Sequence, residues 1–106
     1  MKYIITENRL NDIIFKYLDM RLNKIEKMKG VNTDIIFAFP SKKYGLLGWE
    51  KSGVLYVFYE FRDEIKNMFG LESPDALDVI ARYVVDRYNL EVKHAFLGNS
   101  GLKTQG

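Results

Sequence analysis

Three runs of β-branched and aromatic residues sit close together in the middle of this chain, and helical patterns stand on both sides of them. The first run, Asp34-Ile35-Ile36-Phe37-Ala38-Phe39, is stopped by Pro40, which has no N–H to give a sheet. Ser41-Lys42-Lys43 reads as a turn into the second run, Tyr44 to Glu50, which carries glycines at 45 and 48. Lys51-Ser52-Gly53 reads as a short hairpin loop in which Gly53 is free to take a positive φ. The third run, Val54 to Tyr59, is the most apolar. Its alternating sets, Val54, Tyr56, Phe58 and Leu55, Val57, Tyr59, can both be buried, which predicts a central strand.

Before this meander the apolar positions change period. Leu10, Ile13, Ile14, Tyr17, Leu18, Leu22, Ile25 and Met28 follow helical spacing, with Thr6 as a candidate N-cap and Gly30 as a candidate stop. The spacing predicts a helix over 7–29, preceded by a short strand or extended lead-in at 2–5. After the meander, 61–69 predicts a short helix with Ile65, Met68 and Phe69 inward and Gly70 as its end. Ser73-Pro74-Asp75 opens a second one, with Ser73 as N-cap, Pro at N1 and an acid in the first turn. Its apolar face is Leu77, Ile80, Ala81, Val84 and Tyr88, Asp78, Arg82 and Asp86 form a charge ladder, and Asn89 ends it. A final strand is predicted over 90–96, with Leu90, Val92, His94 and Phe96 on its apolar side. The order is α-β-β-β-α-α-β. Grouped strands and grouped helices predict an α+β domain with an antiparallel sheet of three to four strands and three helices mainly on one face. Val57, Phe37, Leu18, Ile14, Ile80 and Val84 are the predicted core.

A chain of 106 residues is the size of one domain, here read as 1–97 with a flexible tail at 98–106 rich in Gly, Asn and Ser. Core material is ample: 47% of residues are hydrophobic, with seven Tyr, seven Phe and one Trp, which argues against intrinsic disorder. The absence of Cys excludes disulfides and thiolate metal sites. No stretch approaches the ~20 apolar residues of a membrane span, and no signal-peptide core is visible, so a cytoplasmic protein without a membrane partner is expected. A formal net charge of +2 favours solubility and does not by itself point to nucleic acid.

Chemistry-bearing motifs are missing. No phosphate loop, dinucleotide fingerprint, zinc-protease motif or nucleophile elbow occurs, and one His without Cys does not build the usual zinc site. Asp63 and Glu64 are adjacent on a helix and point apart. Neither an enzyme nor a cofactor is therefore expected. His94 is the one side chain whose ordinary titration falls near neutrality; its place on the last strand reads as a hydrogen-bonded residue at the edge of the core. The basic set Lys16, Arg21, Lys24, Lys27 and Lys29, diluted by Asp12, Asp19 and Glu26, reads as a solvated helix face.

The aromatic group Tyr44, Trp49, Tyr56, Phe58 and Tyr59 carries more information. Such residues serve as core, as anchors for a partner protein, or as stacking platforms for single-stranded bases, with Lys42, Lys43 and Lys51 at the rim for phosphates. If helices cover one side of a strand that is apolar on both, something else covers the other, and a second copy of the chain or another protein fits that need. The candidate binding set is therefore Tyr44, Trp49, Tyr56, Phe58, Lys42 and Lys43. Binding to a protein, self-association included, is the first expectation, and single-stranded nucleic acid is the alternative.

The opening Met1-Lys2-Tyr3-Ile4-Ile5-Thr6-Glu7, the Gly48-Trp49 pair, and the segment from Val79 through Tyr88 into Leu90-Glu91-Val92 resemble small proteins encoded by marine bacteriophages and found in ocean metagenomes. The resemblance extends over most of 1–97. It implies a viral or environmental origin, action in the host cytoplasm, and a role as a phage accessory or virion-associated protein that works by binding. The group carries no established activity, so no site residue transfers from it.

Overall fold

A computed structural model describes residues 2–29, 33–39 and 45–98, with side chains from residue 9 onward. Its elements are α1 (Lys2–Arg21), β1 (Glu26–Met28), β2 (Ile35–Ala38), β3 (Leu47–Glu50), β4 (Val54–Phe58), α2 (Tyr59–Phe69), α3 (Ser73–Tyr88) and β5 (His94–Gly98). The strands form one sheet in the order β1-β2-β3-β4-β5. Neighbours are antiparallel except β4 and β5, which run parallel.

The fold is thus α+β with three helices, but the sheet has five strands and is mixed, where three or four antiparallel strands are predicted. Both departures have local causes. The first helix does not run over 7–29. It starts at Lys2, so Thr6 lies inside it rather than capping it, and 2–5 is not a strand. It stops at Arg21, where the chain tightens through Asn23 N–H to Met20 O (3.4 Å) and Ile25 N–H to Leu22 O (3.1 Å). Leu22 is buried and Ile25 packs on the core, so the apolar period continues through a turn that is no longer helical. Glu26–Met28 then pairs with β2. At the other end of the chain, β5 follows a two-helix crossover. A connection of that length returns the chain parallel to β4, an arrangement no tight hairpin allows.

All three helices lie on one face of the sheet. Ile14, Leu18 and Leu22 from the α1 segment, Phe61 and Ile65 from α2, and Val79, Ile80, Tyr83 and Val84 from α3 meet Phe37, Leu47, Leu55 and Val57 of the sheet. The six predicted core residues are all fully buried. The α3 face is rotated slightly from the predicted one: Ala76, Val79 and Tyr83 go inside with Ile80 and Val84, while Leu77 and Ala81 stay half-buried. Ser73 begins the helix, with Glu72 at the cap position. Met68, predicted inward, is exposed: it continues the stripe of buried Phe61 and Ile65 but stands on the last turn of α2. Gly70 and Asn89 end their helices in the left-handed conformation (φ 63° and 56°).

Two matching clasps hold α1 down. Glu64 on α2 accepts Tyr17 Oη (2.6 Å), Arg21 Nε (2.8 Å) and Arg21 Nη2 (3.1 Å). Asp19 on α1 accepts Tyr83 Oη (2.8 Å), Arg87 Nε (3.0 Å) and Arg87 Nη2 (3.2 Å) from α3. In each case Tyr and Arg stand four apart on one helix, so one turn delivers both donors to a carboxylate on its neighbour. Burial opposes the charge on Glu64, but the hydrogen bonds from Arg21 and Tyr17 outweigh it and hold the carboxyl below its ordinary value. The hydrogen bond from Arg87 holds Asp19 down likewise. Burial, and then the bond to Asp19, push the Tyr83 phenol up.

Candidate interaction surface

The side of the sheet away from the helices is set by register. Ile36, Gly48, Tyr56 and Phe96 stand in one row across β2–β5, while Ile35, Trp49, Leu55 and Ala95 form the adjacent row that points to the helices. The outer face therefore presents Glu26, Met28, Ile36, Ala38, Gly48, Glu50, Val54, Tyr56, Phe58, His94, Phe96 and Gly98. Among the described residues, no helix packs on it.

This face has two halves. In one, Ile36, Ala38 and Phe58 are buried, with Met28 and Tyr56 packed against them. Gly98 leaves the Phe58 ring its place. A Cβ at Gly98 would stand 2.7 Å from Phe58 Cδ1 and 3.1 Å from Tyr56 Cβ, so the Phe58 ring occupies the space a side chain at 98 would need. The other half is open. Phe96 is 51% exposed and His94 is exposed beside it. The His94 ring stacks near the Phe96 ring (6.1 Å, 25°), and Tyr56 lies 6.5 Å from Phe96 on the other side. Tyr56 Oη reaches Glu50 Oε2 at 3.5 Å. The open half is thus an aromatic row with a carboxylate at its margin.

The sequence-selected residues divide between the two faces. Tyr56 and Phe58 share the outer face, Tyr56 half-exposed and Phe58 buried. Trp49 is on the helix side, where its Nε1 donates to Glu91 O (2.9 Å) and fastens the segment leading into β5. Tyr59 opens α2 and is exposed under the Arg62 guanidinium (5.8 Å to the ring centroid). Tyr44, Lys42 and Lys43 lie outside the described residues. Lys51 is exposed, with its backbone N–H given to Asp34 Oδ2 (2.7 Å).

His94 is not the core-edge residue the sequence predicts. The alternation counted from Leu90 fails because 90–93 is not strand: Leu90 and Val92 pack on the helix-side core, and the strand proper begins at His94. Phe96, His94 and Val54 join Tyr56 on the open half, and none of the three is in the binding set predicted from the sequence. The alternation starts afresh at His94, after the loop, and the sequence does not mark that restart.

Beside β5 lies a groove of about 530 Å³. Its floor is Phe15, Ala81, Val85, Val92 and Ala95, and Asp78, Arg82, Asp86, Lys93 and His94 rim it. Val85, on the helix wall, is 45% exposed. Among the described residues no group of His, Asp and Glu is placed to hold a metal ion, and no helix is long and apolar enough to cross a membrane. No protein-family model matches the chain, and no curated protein or solved structure matches it either.

Proposed function

We propose that this domain is a non-catalytic protein-interaction module that binds through the open half of its outer sheet face. The observation that carries this reading is the row Tyr56, Phe96 and His94, set beside Val54 on a sheet face with no helix over it among the described residues. Aromatic side chains with few rotatable bonds are the usual anchors of protein interfaces. The aromatic row is built as a surface: Phe96 stands out while Ala95 and Leu97, its neighbours on β5, turn toward the helices. A phage accessory or virion-associated role in the host cytoplasm is the setting that fits the resemblance noted in the sequence.

Site-specific photo-crosslinking tests the reading. With a benzoylphenylalanine at position 96, the protein in the cells that make it should form protein adducts on irradiation. The same group at Glu60, exposed on α2, should form none. A folded protein giving no adduct from position 96 would overturn the proposal.

Single-stranded nucleic acid is the second reading, favoured by the adjacency of Tyr56 and Phe96, since base stacking needs such a platform. Glu26 and Glu50 on the same face oppose a phosphate backbone. A labelled mixed-sequence oligonucleotide at low salt should show no rise in anisotropy. A rise that fades with added salt would assign the face to nucleic acid.

A further inference from the structure

The two ends of the sheet differ in a way that names a partner. At one edge, β1 has three residues, Glu26-Lys27-Met28, and is the kind of short, charged edge that discourages pairing with another chain. At the other, β5 has five residues, His94-Ala95-Phe96-Leu97-Gly98, with neither an acid, a Lys or Arg, nor a proline. Among the described residues no strand pairs with the far side of β5. The N–H groups of Lys93 and His94 both turn inward to Gly53 O (2.7 and 3.2 Å), and from His94 onward the strand paired with β4 alternates, so Ala95 and Leu97 turn theirs outward.

We infer that this edge takes a second copy of the same chain, β5 against β5 in antiparallel register about a two-fold axis at Phe96. The inference rests on the protein-binding reading above and specifies its partner. The sequence of the strand is complementary to its own reverse. About Phe96, His94 of one copy meets Gly98 of the other, and Ala95 meets Leu97. Each large side chain therefore faces a small one, and Phe96 faces Phe96. The outward groups of Ala95 and Leu97 exchange hydrogen bonds across the axis. The Phe96 pair then occupies the closer, non-hydrogen-bonded site, where cross-strand aromatic contact is strongest.

Charge supports the same partner. A two-fold contact brings a surface against itself, so a rim of one sign repels. The rim beside β5 carries both signs: Asp78 and Asp86 with Arg82 and Lys93. The apolar groove floor and exposed Val85 lie beside the axis, ready to be covered by the partner's α3. The β1 edge fails this comparison, because the same operation about its centre sets Lys27 against Lys27.

Sedimentation equilibrium of the purified chain, with a disulfide trap, tests the inference. The wild type should rise from one chain mass, 12.4 kDa, toward twice that mass as concentration increases. Phe96→Lys, a change at an exposed position, should stay at one chain mass, and Lys27→Glu should behave as wild type. The chain has no Cys, so Phe96→Cys offers one thiol per copy. Mild oxidation should give a disulfide-linked dimer quickly from Phe96→Cys and only slowly from Met68→Cys, an exposed site elsewhere. A wild type that stays at one chain mass throughout overturns the inference, as does a dimer indifferent to Phe96→Lys and untrapped by Phe96→Cys. Crosslinks from position 96 to other proteins only would overturn the second copy and leave the interaction surface standing.

Discussion

The two faces of this sheet are made from the same residue types and have opposite fates. The helix side joins Phe37, Leu47, Leu55 and Val57 to three helices in one continuous core. The outer side has a small cluster, Ile36, Ala38 and Phe58, and next to it an exposed aromatic row. Aromatic content alone therefore says little about burial here. The difference lies in what packs against each ring: helices on the first face, and for Phe58 the space left by Gly98 on the second. Stability belongs to the first face, and the open half of the second is the surface proposed above for recognition.

The sharpest way to break that division is to cut into each face in turn. Phe37→Ala removes a fully buried ring that stacks on Tyr88 at 4.9 Å. It should cost about 3–5 kcal/mol, measured by urea unfolding, which leaves little of a small domain's stability. Gly98→Ala on the outer face should cost about 1–3 kcal/mol, because its methyl meets the Phe58 ring and the Tyr56 Cβ rather than one flexible tip. Gly48→Ala, with its nearest neighbour at 3.4 Å, should cost clearly less.

A middle-sized effect belongs to the clasp on the helix side. Glu64→Ala leaves Arg21 and Tyr17 without their shared acceptor and, discounted for partial exposure, should cost about 1–2 kcal/mol at neutral pH. Both clasp carboxyls are held below their ordinary values of 4.5 and 3.8 in the folded state. Their stabilisation is thus complete above those values and is lost as pH falls through the depressed folded ones. The wild type should lose stability on acidification, and Glu64→Ala should lose less of it over the same range. Equal pH profiles for the two proteins would detach the clasp from acid sensitivity. The smallest effect should come from Phe96→Thr, within about 0.5 kcal/mol of wild type when unfolding is followed in dilute solution. A large loss there would turn the open row into core and erase the contrast between the faces.

Much of the helix side was legible in the sequence. Ile14 and Leu18, and Ile80 and Val84, repeat at four, and Phe37 and Val57 sit inside apolar runs, so their burial follows from period alone. Gly53, Gly70 and Asn89 mark turns and helix ends because the backbone there takes positive φ. Two things were hidden. Glu26–Met28 has no strand composition, and only its pairing with β2 makes it a strand. The membership of the outer face depends on register. A loop at 51–53 that pairs Glu50 with Val54 necessarily puts Trp49 opposite Leu55, on the side away from Tyr56. Counting back from that loop separates the aromatics that composition had grouped together. The restart of alternation at His94 had no such marker, because it depends on Val92 packing under the helices before the strand begins.

The parallel seam between β4 and β5 also sets an order of events. Strands β2 to β4 find one another through short connections, so their pairing closes early and at little entropic cost. The seam has no local route: Val54 and His94 meet only after the intervening helices have been laid across the sheet. Native-like protection of the amides that β5 gives to β4 should therefore appear last in pulse-labelled refolding. Until it does, the inner edge of β4 waits uncapped. In a concentrated refolding mixture a β5 from another molecule can fill that vacancy, so the yield of correctly closed chains should fall as protein concentration rises.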